Sequence, residues 1–210
     1  MVPVIRHRRT PAIKHLDPFT VGQTWRPYVR RMLAAHRAYH RSVDDLEPGP
    51  LHDRLHELGR HVDAAVLTGW QLARRGQSLT EARHGIDSTR LQTQLRSLGD
   101  EPDPASGPLV HEELRLTTRQ ALEAQLQSAT DLDAAVVVVT RHLQVVDARL
   151  GEICARAAVV VTRADAGPHR PPADAAEQLV LLQEALRDVE VAGRVDVSLP
   201  ELPARASGRP

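Results

Sequence analysis

Histidine is the residue type with the most unspent chemistry in this sequence. Eleven histidines stand in a chain of 210 residues, and His36 with His40, and His52 with His56, are each four apart. Residues at that separation share one face of an α-helix, so each pair would present two imidazoles side by side, as a two-histidine metal grip requires. If the chain reverses near Pro48-Gly49-Pro50, His40 comes level with His56 and His36 with His61, and Asp53 or Glu57 adds a carboxylate. The set His36, His40, His56 and His61 is therefore the candidate for a zinc or nickel site bridging two helices. Polar pairs on a solvent-facing helix have the same spacing. No His-Glu-x-x-His run and no cysteine clamp sharpens the signal, so the balance of the sequence assigns no metal and no cofactor.

Other chemistries have less to stand on. There is no Gly-x-Ser-x-Gly elbow, no Walker loop and no dinucleotide fingerprint, and the expectation is a chain that is not an enzyme. The single cysteine, Cys154, excludes an intrachain disulfide and sits in an apolar run, where an inert, covered thiol is expected. Trp25, Tyr39 and Trp70 are read as seam fillers rather than the walls of a pocket. Arg6-His7-Arg8-Arg9 offers a contact to anionic lipid or nucleic acid, but anchoring needs a second signal. Basic and acidic residues balance at 27 each, so no global field draws nucleic acid, and none is expected as a partner.

The elements that must carry these residues are helices. Hydrophobic residues make up 41% of the chain but aromatics only 2%. That is a Leu, Val and Ala composition, suited to narrow helix–helix seams rather than to the broad layers of a sheet. Trp25, Val29, Met32, His36, Tyr39, Val43 and Leu46 step by fours and threes, predicting a helix over 24–47 with Thr24 as its N-cap. Leu51, Leu55, Leu58, Val62, Ala65, Gly69 and Leu72 repeat the pattern over 50–75, with Gly76 as a C-cap. Ser78-Leu79-Thr80-Glu81 matches a capping box for a short helix over 78–84, and Asp87 or Ser88 caps another over 88–98. The longest segment without proline, 108–165, carries a seam from Ala129 through Leu132, Val136, Val139, Leu143, Val146, Leu150, Ile153 and Ala157 to Val160. Gln127–Asp131 is its weakest point, since Ser and Thr compete for backbone bonds; continuity is the expectation. A last helix is predicted over 173–192.

The competing reading takes Ala134–Arg141 and Ala157–Arg163 as two buried strands around a crossover helix. Valine favours strands by only tenths of a kcal/mol, and the unbroken seam through both runs decides for helix. The fold class expected is thus all-α: an antiparallel helical hairpin packed with one long heptad-patterned helix. A bundle over 24–193 lies between a flexible basic tail over 1–23 and a disordered tail over 194–210. Within the first tail, Leu16–Phe19 is expected to dock locally. No stretch reaches the roughly 20 apolar residues of a spanning helix, and no signal peptide is legible, which with one cysteine points to the cytoplasm. The function expected is that of a non-enzymatic helical scaffold, working through a protein partner or through copies of itself.

Overall fold

A computed structural model describes residues 13–100 and 108–165, and, beyond these, 180, 181, 183–185, 187, 188 and 191. The rest of the expected tails, the linker over 101–107 and the loop after 165 lie outside the described residues. The fold is all-α. Its helices are α1 (Arg26–Asp44), α2 (Pro50–His84), α3 (Ser88–Asp100) and α4 (Pro108–Asp165). The described residues between 180 and 191 are helical as well, with Ala185 buried. Both valine runs lie within α4, and no strand occurs among the described residues. None of the described helices is long and apolar enough to cross a membrane.

The chain divides into two compact units, one holding the residues up to 77 and from 139, the other those from 78 to 138. In the first, α1 lies along α2 with the chain directions opposed. The Tyr39 hydroxyl donates to the Leu55 carbonyl at 2.8 Å, Met32 packs on Gly69, and the Trp25 indole lies on Gly76. The second half of α4 covers this pair, with Cys154 Sγ 3.1 Å from the Ala35 carbonyl and Arg31 bonded to Asp147 at 2.8 Å. Val29, Met32, Val43, Leu55, Val62, Leu143, Val146, Leu150 and Ile153 are all buried between the three helices. Burying each such side chain contributes about 1.5–3 kcal/mol.

Several boundaries differ from the sequence reading; α1 ends at Asp44 rather than 47 and α3 at Asp100 rather than 98. Helix α2 does not stop at Arg75-Gly76, and Ser78–Glu81 lies inside it rather than forming a capping box. A Cβ on Gly76 would meet the Trp25 ring at 2.5 Å, so this glycine serves close approach of two helices, not a left-handed C-cap. The stop comes at Gly85, whose N–H closes on the Glu81 and Ala82 carbonyls. At the other end, α1 begins at Arg26 with Pro27 in its first turn, and the residue before it is Trp25 rather than Thr24, without a side-chain cap.

Residues 13–23 also depart from the expected tail. They hold two 3-10 turns, Ile13–His15 and Pro18–Thr20, and bury Ile13 and Val21. The Asp17 carboxylate accepts the Phe19 N–H at 2.9 Å, and the Gly22 N–H donates to the Gln77 side chain at 2.9 Å. Phe19 itself is not the docking residue: it is 71% exposed, with the Arg26 guanidinium 4.9 Å from its ring centre.

In the second unit, α3 starts where the Asp87 carboxylate accepts the Arg90 N–H at 3.0 Å, an N-cap of the usual kind. Arg83 pairs with Asp133 at 2.9 Å, and Leu79, Leu91, Leu122, Ala129, Leu132 and Ala135 are buried. Helix α4 passes through 127–131 unbroken. Ser128 and Thr130 donate their hydroxyls to the carbonyls of Ala124 and Leu126, four residues back. Bonded that way, they do not compete with the helix for its own N–H groups.

Candidate metal centre

The α1–α2 contact carries one cluster of polar side chains in an otherwise apolar seam. His36 and His40 lie one turn apart on the inner side of α1, and Asp63 comes up between them from α2. His36 is 5% exposed and Asp63 7%. The Nε2 atoms of both histidines reach the same carboxylate oxygen, Asp63 Oδ1, at 2.8 Å for His36 and 2.9 Å for His40. Their ring centres are 4.5 Å apart with a 56° tilt. One donor atom from each of the three residues fits within a span of 4.8 Å.

Local sequence explains why the rings fit. A glycine inside a helix is about 0.5–1 kcal/mol worse than alanine, yet α2 keeps Gly59 one turn before Asp63. A Cβ there would stand 3.0 Å from His40 Cε1, so Gly59 clears the floor on which the His40 imidazole rests. Tyr39 meets His40 edge-on, with ring centres 5.6 Å apart. Burial pushes the Tyr39 phenol well above its usual range, so that hydroxyl stays a neutral donor to Leu55. The cluster thus has a mostly apolar surround, where a charge needs a partner.

Two chemical states suit this arrangement. With both imidazoles protonated at Nε2, each donates to Oδ1, and the carboxylate satisfies two buried N–H groups. With the ring protons on Nδ1 instead, two imidazole nitrogens and a carboxylate oxygen form a mixed nitrogen–oxygen donor set of the kind that takes Zn²⁺, Ni²⁺ or Cu²⁺. Donors bound at about 2.1 Å from one tetrahedral ion stand about 3.4 Å apart. The two His–Asp separations of 2.8 and 2.9 Å are hydrogen-bond lengths, and the donors open by about half an ångström to take an ion.

The structure keeps half of the four-histidine set expected from sequence and replaces the other half. His56 lies seven residues before Asp63 on α2, beside His52, with ring centres 6.0 Å apart, and it is not in the three-residue cluster. His52 Nδ1 approaches Asp53 at 3.4 Å, and His52, Asp53, His56, Glu57 and Arg60 line a shallow concavity of about 330 Å³. His61 is exposed, whereas His36 is buried. The reason is register. Pairing of Met32 with Gly69 and Trp25 with Gly76 sets α2 about a turn further along α1 than a reversal centred on Pro48 implies, and that offset brings Asp63, on the buried face of α2, level with His36. Asp63 is the site residue that helical spacing alone does not single out. A signal for it exists nonetheless: it is the one acid in the apolar run Val62–Leu67, beside the seam, as His36 is on its own seam.

Cys154 is half-buried, and burial pushes its thiol up to about 11. Its hydrogen bond to Ala35 holds it as a protonated, unreactive group. No protein-family model, no curated protein and no solved structure matches this chain.

Proposed function

We propose that this chain is a non-enzymatic helical protein whose α1–α2 hairpin binds one divalent transition-metal ion, Zn²⁺ by its donor chemistry, through His36, His40 and Asp63. The observation that carries the reading is the convergence of two imidazole nitrogens on one buried carboxylate oxygen, at 2.8 and 2.9 Å. The histidines bind as neutral ligands, and the aspartate offsets part of the ion's charge. Each imidazole binds with its ring proton on Nδ1, which leaves the Nε2 lone pair for the ion. Three protein donors leave a position for water. The test is calorimetric titration of chelator-stripped protein with Zn²⁺, alongside metal analysis after dialysis. One ion per chain is expected, and Asp63→Asn and His40→Ala each remove it. A stoichiometry near zero ends the reading.

A second reading, contact with another copy of the chain, is favoured by apolar side chains that α4 leaves uncovered. Leu114 is 65% and Leu116 50% exposed. Glu112 and Glu113 precede Leu114, Arg115 stands between the two leucines and is paired with Glu112 at 3.5 Å, and Arg119 follows Leu116. With acids before the leucines and Arg119 after them, the patch is self-complementary in an antiparallel pair. Light scattering separates the cases: a monomer at tens of micromolar that stays unchanged in Leu114→Lys removes the idea.

A further inference from the structure

We propose that a groove between residues 13–20 and α1, apart from the metal centre, is a docking site for an acidic amphipathic segment of a partner protein. The concavity has a volume of about 750 Å³. Its floor is apolar, made by Leu16 and Pro18 on one side and by Leu33 and Ala34 of α1 on the other. Its rim is basic, with Arg26, Arg30 and Arg37 in a row. From Arg26 to Val43, α1 contains five arginines and no acidic residue, in a chain whose total charge is zero. The positive character is therefore local to this face rather than a reflection of composition.

The arginines differ in how far they are already engaged. Arg31, at the edge of the groove, is held by Asp147 at 2.7 Å. Arg26 donates to the Val21 carbonyl at 3.3 Å and lies over Phe19, while its Nε–H is buried with no acceptor. Arg30 and Arg37 form no ion pair among the described residues. Seven residues separate them, so both project from the same face of α1, with Leu33 and Ala34 between. A ligand that fits must bring carboxylates spaced along a helix and apolar side chains between them.

That geometry selects among anionic partners. A lone phosphate or nucleotide needs donors converging on a point, whereas Arg26 to Arg37 spans about 16 Å at ~1.5 Å per residue. A flat bilayer surface meets the arginine tips but cannot reach Leu16 or Leu33 on the floor. An acidic helix laid in the groove engages both, in the helix-in-groove manner. Burial of its apolar side chains supplies affinity, and the arginines supply orientation and rate of encounter.

The test uses the full chain and a fluorescein-labelled synthetic helical peptide with glutamate on one face and leucine on the adjoining one, followed by anisotropy. Binding that weakens with added salt is expected, together with about tenfold weaker binding to the double variant Arg30→Glu, Arg37→Glu. A peptide with glutamine in place of glutamate should lose affinity similarly. Both arginines are exposed, and circular dichroism confirms that the variant remains folded. Vesicles of phosphatidylglycerol are offered in parallel and should not sediment the protein. Sedimentation that the double variant abolishes assigns the groove to lipid and overturns the proposal. So does peptide binding that is absent or indifferent to the charge reversals.

Discussion

Gly76 and Trp25 meet so closely that a methyl group on the glycine would stand 2.5–2.7 Å from three carbons of the indole ring. Trp25 is 1% exposed and has no room to withdraw. Gly76→Ala is therefore expected to destabilise the fold by about 1–3 kcal/mol through overpacking, despite alanine's better helix propensity. Gly151, in the middle of α4, is the opposite case, since a methyl group added there would have no neighbour within 4 Å. Gly151→Ala is expected to stabilise by about 0.5–1 kcal/mol, the ordinary helical gain. Urea denaturation of both variants checks the opposite signs, and equal signs would refute the close-approach account of Gly76.

Metal-free protein should feel the loss of Asp63 on its own. Asp63→Ala removes the acceptor that two covered imidazoles share, and a buried donor left without a partner costs about 1–3 kcal/mol. Chemical denaturation in the presence of chelator reads this directly. A variant as stable as the parent would show that the cluster contributes nothing to the fold.

Zinc should raise the stability of the parent protein and leave Asp63→Asn unmoved. At a hundredfold excess of free ion over the dissociation constant, binding to the folded state alone contributes about 2.7 kcal/mol, or roughly 5–10 °C in Tm for a chain of this size. Differential scanning fluorimetry with Zn²⁺, and with Mg²⁺ as the hard-cation control, makes the comparison. Equal shifts with both ions, or in both proteins, contradict a nitrogen-donor site.

Cys154 and Tyr39 predict loss of stability on the alkaline side. Burial raises the Cys154 thiol to about 11 and raises the Tyr39 phenol as well, so the fold favours both protonated forms. Their contribution is complete below the unfolded thiol value of about 8.5 and is lost as pH rises towards the folded one. Stability measured by urea midpoint should therefore fall between about pH 9 and 11, and less steeply in Cys154→Ala. The same burial makes alkylation by iodoacetamide slow in the native state at pH 8 and fast in denaturant. Rapid native labelling would show an open thiol.

Much of the architecture is legible along the chain because it depends on local rules. Apolar positions at steps of three and four mark the helices, Pro48 to Pro50 mark the turn between α1 and α2, and Asp87 marks the start of α3. The candidate site is half legible. His36 stands out as a histidine on an apolar seam, with His40 one turn on, but for the carboxylate the spacing points to Asp53 or Glu57, near the turn. Asp63 stays hidden because its role depends on the offset between two helices, and the helical period leaves that offset free.

What the sequence by itself determined is the set of helices and the faces they bury, since both follow from period, proline and composition within a few turns of chain. What only the tertiary structure decided is how those faces mesh. Gly76 has the composition of a helix stop and Gly59 that of a weak point. A glycine permits a left-handed turn and a close crossing equally, and nothing in its neighbours along the chain separates the two. The ring of Trp25 over one and of His40 over the other made the choice, because steric fit between distant residues sets the register, and the register brings Asp63 to the two imidazoles.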